Sequence, residues 1–128
     1  MKSADVASLN LQQVLQPIEQ ATGLPNQAYV DEAFLAHERD TVFARSWAGL
    51  WFASDLPKPG YVKPIEFMGL PLVILRNKQD QIRVFHNVCS HRGMILVHEE
   101  MEVQGALRCK YHSWSYSLDG ELKGTPHL

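Results

Sequence analysis

Both cysteines of this chain lie in short segments where a histidine follows closely. His91 comes two residues after Cys89 and His112 three residues after Cys109, which gives the pattern C-x-H-x17-C-x2-H. Thiolates and imidazoles bind transition metals, and two of each can hold either one zinc ion or a two-iron cluster. A disulfide would leave both histidines unexplained and is rare in cytosolic proteins, so the spacing favours a metal site.

The mixture of ligand types within each segment bears on the choice of metal. Zinc fingers usually take two cysteines from one end and two histidines from the other, whereas each segment here contributes one of each. A [2Fe–2S] centre with unequal irons suits this mixture, because one iron takes both thiolates and the other takes both imidazoles. A structural zinc-binding module is the alternative.

The residues around these four positions resemble those of a known family. FHNVCSHRGMIL and LRCKYHSWSYSLDGEL are similar to the cluster-binding segments of Rieske proteins, and within that group to the N-terminal domain of Rieske non-haem iron oxygenase large (alpha) subunits. The resemblance implies a Rieske-type [2Fe–2S] cluster, with Cys89 and Cys109 on the buried iron. His91 and His112 would bind the outer iron. Respiratory and photosynthetic Rieske proteins carry an additional cysteine in each segment, which this chain lacks.

The same resemblance implies a role in electron transfer. In an aromatic-ring-hydroxylating or related monooxygenase or dioxygenase, such a domain takes electrons from an NAD(P)H-fed reductase or a ferredoxin and passes them to a mononuclear non-haem iron. The catalytic iron domain is expected beyond Leu128, outside this chain, so no catalytic residue is predicted. The full-length subunit is expected to form a homo-trimer. A stand-alone Rieske-type ferredoxin is the alternative, which the helical N-terminus disfavours.

Composition restricts the other function classes. The chain has 128 residues, of which 45% are hydrophobic and 20% charged, as in an ordinary globular domain. A net charge of −2 argues against a nucleic-acid groove or a polybasic membrane surface. No apolar run reaches the length of a membrane span and no signal-peptide pattern begins the chain, so the expected location is cytoplasmic.

The predicted secondary structure is two helices followed by short strands. Apolar spacing predicts helices over Leu9–Gln20 and about Ala28–Ser46, the second capped by Asn26. Short apolar or alternating runs bounded by Pro, Gly and Asn predict strands within WAGLWFAS, YVKPIEFM, LPLVILRN, QIRVFHNV, ALRC and SWSYSL. Trp47 and Trp51 are predicted to be core residues.

The predicted fold is therefore mainly β, with three parts. A helical segment spans 1–46, and an antiparallel β sandwich or barrel spans 47–128. The resemblance identifies that sandwich or barrel as the Rieske iron–sulfur protein type and implies a small cluster-binding subdomain at about 87–114.

Residues beside the ligands carry further expectations. Ser113 stands where the resembled family usually has glycine, at a position expected to need an unusual backbone conformation. Trp114 and Tyr116 are predicted to be sheet core or lid. Arg92 is expected at the cluster rim, either solvated or paired across an interface. The acidic run Glu99 to Glu102 is predicted to be a solvated loop, with docking of a reductase as the alternative.

Overall fold

The structure is a computed structural model that describes residues 11–126 of the chain. It divides into two units, Met1–Gly49 and Leu50–Leu128. Within the described residues, the first unit is helical and the second holds all the strands. Among residues 11–126, no helix is both long and apolar enough to cross a membrane.

Asp31 divides the helical region of the first unit. Helix α1, Gln27–Val30, ends at this residue, and helix α2, Glu32–Thr41, begins after it. Asp31 has extended dihedrals, φ −91° and ψ 120°, and its Oδ1 accepts the backbone N–H groups two and three residues later at 2.7 and 3.0 Å. The predicted continuous helix over 28–46 is wrong, because the aspartate caps a new helix.

Two other helix predictions are also wrong. Asn26 has helical dihedrals, φ −54° and ψ −32°, and its side chain makes no capping hydrogen bond. The described part of Leu9–Gln20, which starts at residue 11, contains a 3₁₀ helix at Leu11–Gln13 and turns, not an α-helix. Pro17 lacks the backbone N–H that a longer α-helix would need. A second 3₁₀ helix, Phe43–Arg45, follows α2.

Four antiparallel strands form the larger sheet of the second unit. In the spatial order β3-β2-β1-β4, these strands are β1 (Tyr61–Phe67), β2 (Leu70–Arg76), β3 (Ile82–His86) and β4 (Met101–Glu102). The apolar run of β2 places four successive residues, 72–75, in buried positions, as expected for a central strand covered on both faces. Met68 and Gly69 connect β1 to β2 with φ of +51° and +78°, the geometry of a tight hairpin.

Three short strands form a second antiparallel sheet in the order β5-β6-β7. They are β5 (Ala106–Arg108), β6 (Ser115–Ser117) and β7 (Leu122–Gly124). The mainly β, antiparallel fold predicted from the sequence is confirmed. The sequence did not predict β4, because a strand of two residues has no readable alternation, whereas Asp119-Gly120 after SWSYSL is the hairpin signal that precedes β7.

The predicted strand at 47–54 is wrong. These residues are irregular and lead into a 3₁₀ helix, Ala53–Asp55. Trp47 is fully exposed and Trp51 is half exposed, so neither is the predicted core residue. The Trp51 indole N–H donates to Oδ2 of Asp55 at 2.7 Å, and Nζ of Lys63 lies 5.0 Å from the ring centroid. Polar partners therefore hold this indole at the surface.

Residues of both sheets build one hydrophobic core, which includes both cysteines. Its buried members are Val62, Val73, Leu75, Cys89, Leu96, Val97, Leu107, Cys109 and Leu118. Phe85, Trp114 and Tyr116 pack against it as partly buried neighbours. The predicted core role of Trp114 and Tyr116 is therefore confirmed, and the thiols lie within the packed interior.

The two sheets contact each other through turns at one end. The side-chain amide of Asn77, in the β2–β3 turn, donates to Oδ1 of Asp119, in the β6–β7 turn, at 2.7 Å. A Cβ on Gly120 would lie 2.6 Å from the ring of Phe85, so only glycine fits there. The two cysteine segments leave β3 and β5 at the other end of their sheets. They are thereby positioned side by side.

Candidate metal centre

The first cysteine segment forms a six-residue loop from Cys89 to Met94. The N–H of Cys89 donates to the carbonyl of Met94 at 2.7 Å, and the N–H of Gly93 donates to the carbonyl of Cys89 at 2.9 Å. Val88 and Ile95, which flank the loop, pair as an antiparallel bridge. The loop is thus the closed end of a short hairpin.

The second cysteine segment has the same length and the same closure, from Cys109 to Trp114. The N–H of Cys109 donates to the carbonyl of Trp114 at 2.8 Å, and the N–H of Ser113 donates to the carbonyl of Cys109 at 3.0 Å. Arg108 and Ser115 flank it as a pair of β5 and β6. Two loops of one backbone design therefore present the two cysteines.

The fifth position of each loop has a left-handed backbone. Gly93 has a φ of +69° and Ser113 a φ of +60°. Left-handed dihedrals cost a residue with a Cβ about 1 kcal/mol, whereas glycine adopts them freely. This geometry explains why glycine suits position 113 in the resembled family. Serine adopts the same conformation, so the departure leaves the loop intact.

The histidines occupy different positions in the two loops. His91 is the third residue of its loop and His112 the fourth of its own, so C-x-H and C-x2-H differ by one position within equal lengths. The two imidazoles nevertheless meet, with ring centroids 4.9 Å apart in an edge-to-face arrangement. The structure therefore brings together the residues that the sequence pattern singled out.

The two thiols are reduced and shielded from water. Cys89 is 1% exposed and Cys109 is 2% exposed, and both are free cysteines. Burial raises the pKa of the Cys89 thiol, but hydrogen bonds from Tyr116, from loop backbone N–H groups and from Cys109 outweigh it, and the pKa lies below its ordinary value. These donors stabilise a thiolate, which is the form that binds metals.

Tyr116 links β6 to the first loop through its hydroxyl. That oxygen lies 3.2 Å from Sγ of Cys89 and 2.9 Å from Oγ of Ser90, and it accepts the Ser90 backbone N–H at 3.1 Å. Burial, and next the hydrogen bond to Cys89, raise the pKa of Tyr116. Sequence reasoning missed this role: a partly buried tyrosine needs a partner for its hydroxyl, but the sequence does not name the partner.

Aromatic rings hold the imidazoles on two sides. Trp114 stacks on His91 with centroids 4.7 Å apart and planes 8° from parallel. Tyr111 lies against His112 with centroids 3.8 Å apart. Nδ1 of His112 is buried away from solvent. The imidazole pair is thus oriented by packing as well as by the loop backbone.

Asn87 braces the base of the first loop and was not predicted. It is buried, and its side chain makes a two-way contact with Val97: Nδ2 donates to the Val97 carbonyl at 2.7 Å, and Oδ1 accepts the Val97 N–H at 2.9 Å. Its own N–H donates to the carbonyl of Pro71 at 2.9 Å. In the sequence, asparagine after a strand indicates only a turn.

The remaining histidines lie outside the two loops. His37 is exposed on α2, His86 is exposed at the end of β3, and His98 is exposed before β4. His127 lies outside the described residues. Within the part of the chain that the structure describes, no three His, Cys, Asp or Glu side chains are close enough together to hold one metal ion.

The residues of the two loops fit a two-iron cluster. Such a cluster needs only two protein ligands on each iron, two thiolates on one and two imidazoles on the other. The thiols are paired in the core, and the imidazoles are paired and half buried beside them. The lowered pKa of Cys89 favours the thiolate, which is the form that binds metals.

The family profile of the Rieske [2Fe–2S] domain matches residues 46–128, which include both loops. The chain belongs to the Rieske [2Fe–2S] domain family. The predicted resemblance is confirmed, and membership of the family implies a Rieske-type [2Fe–2S] cluster as the cofactor.

This Rieske domain is similar to part of several oxygenase components. It is 34% identical over 104 residues to the oxygenase subunit of carnitine monooxygenase from Escherichia coli K12, covering 81% of this chain and 28% of that protein. It is 40% identical over 97 residues to the large oxygenase component of the naphthalene 1,2-dioxygenase system from Pseudomonas aeruginosa, covering 75% and 21%. A solved structure of naphthalene 1,2-dioxygenase from Rhodococcus sp. superposes with a TM-score of 0.79 at 29% identity, covering 91% and 27%. The chain therefore spans less than a third of these relatives.

Proposed function

We propose that this Rieske domain transfers single electrons through a [2Fe–2S] cluster bound by Cys89, Cys109, His91 and His112. The observation that carries the proposal is the pairing: two buried thiols and two half-buried imidazoles approach one place from loops of equal length and closure. When bound, the cluster supplies a reversible one-electron acceptor whose potential depends on ligands, hydrogen bonds to sulfur and burial.

The protein residues hold the ligands and control their surroundings. The core excludes water from the thiolates, and the hydroxyl of Tyr116 donates toward Sγ of Cys89, which stabilises negative charge there. Trp114 covers one face of His91 and fixes the imidazole plane. Because the imidazoles lie nearer the surface than the thiols, they offer the shorter path for an electron.

The oxygenase relatives support a specific setting for this electron transfer. The chain is the Rieske domain of an aromatic-ring-hydroxylating or related oxygenase large subunit that works in the cytoplasm as a homo-trimer. Its donor is an NAD(P)H-fed reductase or a ferredoxin, and its acceptor is a mononuclear non-haem iron in a domain outside this chain. The proposed domain division is a helical segment over 1–46, whose described part begins at residue 11, a Rieske domain over 47–128, whose described part ends at residue 126, and a cluster-binding subdomain at about 87–114.

Metal analysis of the purified chain tests the ligand assignment. We expect about two irons and two acid-labile sulfides per chain, no zinc, and a Rieske-type electron paramagnetic resonance signal after reduction. Cys89→Ser and Cys109→Ser are each expected to abolish the cluster, because each removes a thiolate from the same iron. His98→Ala is the matched control, since His98 is exposed outside both loops, and it should retain full iron.

Two outcomes would contradict the proposal. Stoichiometric zinc with no signal after reduction would instead indicate a structural zinc module. With a reductase and NADH supplied, the chain should become reduced but form no oxidised product, because the acceptor iron needs a separate two-histidine, one-carboxylate site. A third tightly bound iron with substrate-dependent O2 consumption would contradict the electron-transfer role. A stand-alone ferredoxin would also become reduced and form no oxidised product. Complementation of an oxygenase that lacks its Rieske domain distinguishes the two, because only an oxygenase Rieske domain should restore its activity.

A further inference from the structure

We propose that the two cysteine loops form a docking surface for an electron-donor protein that carries carboxylates around its own redox centre. This inference rests on the proposed function and specifies the chemistry of the donor. The surface consists of a basic rim, which we define as Arg92, Arg108 and Lys110, around two exposed apolar side chains, Met94 and Tyr111.

The basic rim is a local concentration of one sign of charge. Segments 87–97 and 107–117 contain its three cations and no aspartate or glutamate. All three side chains are exposed, and among the residues that the structure describes none of them takes part in a salt bridge. Five other basic residues of the second unit are paired with carboxylates. The unpaired positive charge is therefore concentrated beside the candidate metal centre.

Two of the three carboxylates in the acidic run are paired with lysines. Glu100 lies 3.1 Å from Nζ of Lys63, and Glu102 lies 2.6 Å from Nζ of Lys58, so lysines neutralise both carboxylates. Glu66 is the exposed carboxylate at the loop end of the larger sheet, but β1 is two strands, about 10 Å, away from β3. Glu99, the third carboxylate of the run, is exposed and forms no salt bridge among the described residues, so one carboxylate of the run remains for the reductase-docking alternative, against three unpaired cations at the loops.

The local charge at the loops has the opposite sign to the net charge of the chain. Two Fe³⁺, two sulfides and two thiolates sum to zero, and one added electron makes the site −1. The three cations of the basic rim outnumber that negative charge, and each lies within three residues of Cys89 or Cys109 in sequence. The whole chain, however, carries −2. An approaching anion should thus be attracted to the loops although the chain as a whole would repel it.

The apolar side chains indicate a protein partner and not a small anion. Met94 is 39% exposed and Tyr111 is 53% exposed, and the ring of Tyr111 contacts that of His112. An apolar centre inside a charged rim is the usual anatomy of a protein interface. A separate donor benefits from electrostatic steering because it must diffuse to the site. One electron then passes from its reduced cofactor to the oxidised cluster, and no bond forms or breaks.

Stopped-flow oxidation of the reduced chain by small complexes of opposite charge tests the local field. The probes are ferricyanide, an anion, and hexaammineruthenium(III), a cation. We expect the rate constant for ferricyanide to fall about tenfold between 10 and 500 mM ionic strength, and that for the ruthenium complex to rise. The opposite salt dependence would overturn the proposal, because it is what the negative net charge of the whole reduced chain would give, −2 from the sequence and −1 from the added electron.

A matched pair of lysine variants locates the effect. Lys110 and Lys78 are both exposed and, among the described residues, form no salt bridge, but Lys78 lies in the β2–β3 turn at the far end of the sheet. Lys110→Gln should lower the low-salt ferricyanide rate about threefold, and Lys110→Glu further, whereas Lys78→Gln should change it by less than about 1.5-fold. Equal effects of the two glutamine variants would refute a local rim. The midpoint potential of each variant is measured as well, so that its rate constant can be corrected for any difference in driving force.

Protein donors provide the last comparison. A reduced plant-type ferredoxin of net negative charge should reduce the oxidised chain more slowly after Lys110→Gln, whereas oxidation of the reduced chain by cytochrome c, which is net positive, should become faster. No change with either protein would overturn the docking surface even if the small probes respond. A chain that binds no cluster absorbs no visible light, and this result would contradict the proposed function. A chain that binds the cluster but shows no preference for the charge of its partner would contradict only the docking surface.

Discussion

Replacing Tyr116 by phenylalanine isolates the contribution of one hydroxyl to the electron-transfer site. The ring packs against the core, so phenylalanine keeps the packing. The change removes the 3.2 Å contact with Sγ of Cys89 and the two contacts with Ser90 at 2.9 and 3.1 Å. Cluster binding should survive, because none of the four candidate ligands is altered.

The expected effect is a lower midpoint potential. A hydrogen bond to a charged group contributes about 1.5–3 kcal/mol, and it strengthens when reduction adds negative charge to the site. If about 1 kcal/mol of that bond distinguishes the two oxidation states, the potential of a one-electron couple falls by about 40 mV, since 1.4 kcal/mol corresponds to about 59 mV. The reduced state loses more stabilisation than the oxidised state when the hydroxyl is removed, so the midpoint potential becomes lower.

The raised pKa of Tyr116 gives this prediction a pH dependence. Burial and the bond to Cys89 raise the pKa of the phenol above its usual value, so the hydroxyl keeps its proton at neutral and mildly alkaline pH. The difference in potential between Tyr116→Phe and the wild type should therefore stay constant between about pH 6 and 9. A difference that vanishes within this range would mean that the hydroxyl is not the donor.

Protein-film voltammetry measures both quantities, with cluster content checked by visible absorbance. Tyr61→Phe is the matched control, because Tyr61 lies on β1 outside both loops, and it should leave the potential within about 10 mV of the wild type. Ser90→Ala removes only the hydroxyl contact with Tyr116 and should give a smaller shift than Tyr116→Phe. A fully loaded Tyr116→Phe variant with an unchanged or higher potential would refute the reasoning.

The loops and their braces allow three other tests. Ser113→Gly should raise the free energy of unfolding by about 1 kcal/mol and Gly93→Ala should lower it by about as much, measured by chemical denaturation, because both positions have left-handed backbones. Asn87→Ala should lower it by about 2–4 kcal/mol, since both backbone partners on Val97 lose their bonds, whereas the non-capping Asn26→Ala should stay within about 0.5 kcal/mol. Trp114→Leu should change the g-values of the reduced cluster because the ring that orients His91 is lost, and Trp114→Phe should largely restore them.

The larger strands and the ligand set follow from local sequence patterns. The strands β1, β2 and β3 were predicted because short apolar or alternating runs stand between turn signals, and the structure places each within one or two residues of its predicted bounds. Cys89, Cys109, His91 and His112 were singled out from spacing alone, and their side chains do meet. The spacing identifies these residues because each cysteine and its histidine belong to one short loop, so a small separation in sequence keeps them close in space.

The missed roles of Tyr116 and Asn87 depend on contacts between residues distant in sequence, whereas the wrong helix and strand predictions have local causes, such as the Asp31 cap. WAGLWFAS has the composition of a strand, yet Trp51 finds its partner in Asp55 and the segment stays at the surface. Nothing near Tyr116 in sequence indicates that its hydroxyl contacts Cys89, which is 27 residues away. Asn87 likewise acts on Val97, 10 residues further along. Composition and periodicity do not contain such pairings.

The equal length of the two cysteine loops has a consequence for comparative sequence work. Aligning one cysteine–histidine motif with the other by its histidine would require a one-residue insertion, because the spacings differ. No insertion exists in the backbone: the cysteine and the left-handed residue, Gly93 or Ser113, stand at the first and fifth positions of both loops. An internal alignment should therefore be anchored on these two positions and left ungapped. In that alignment the two histidines occupy adjacent positions and not the same one: His91 aligns with Tyr111, and Arg92 aligns with His112.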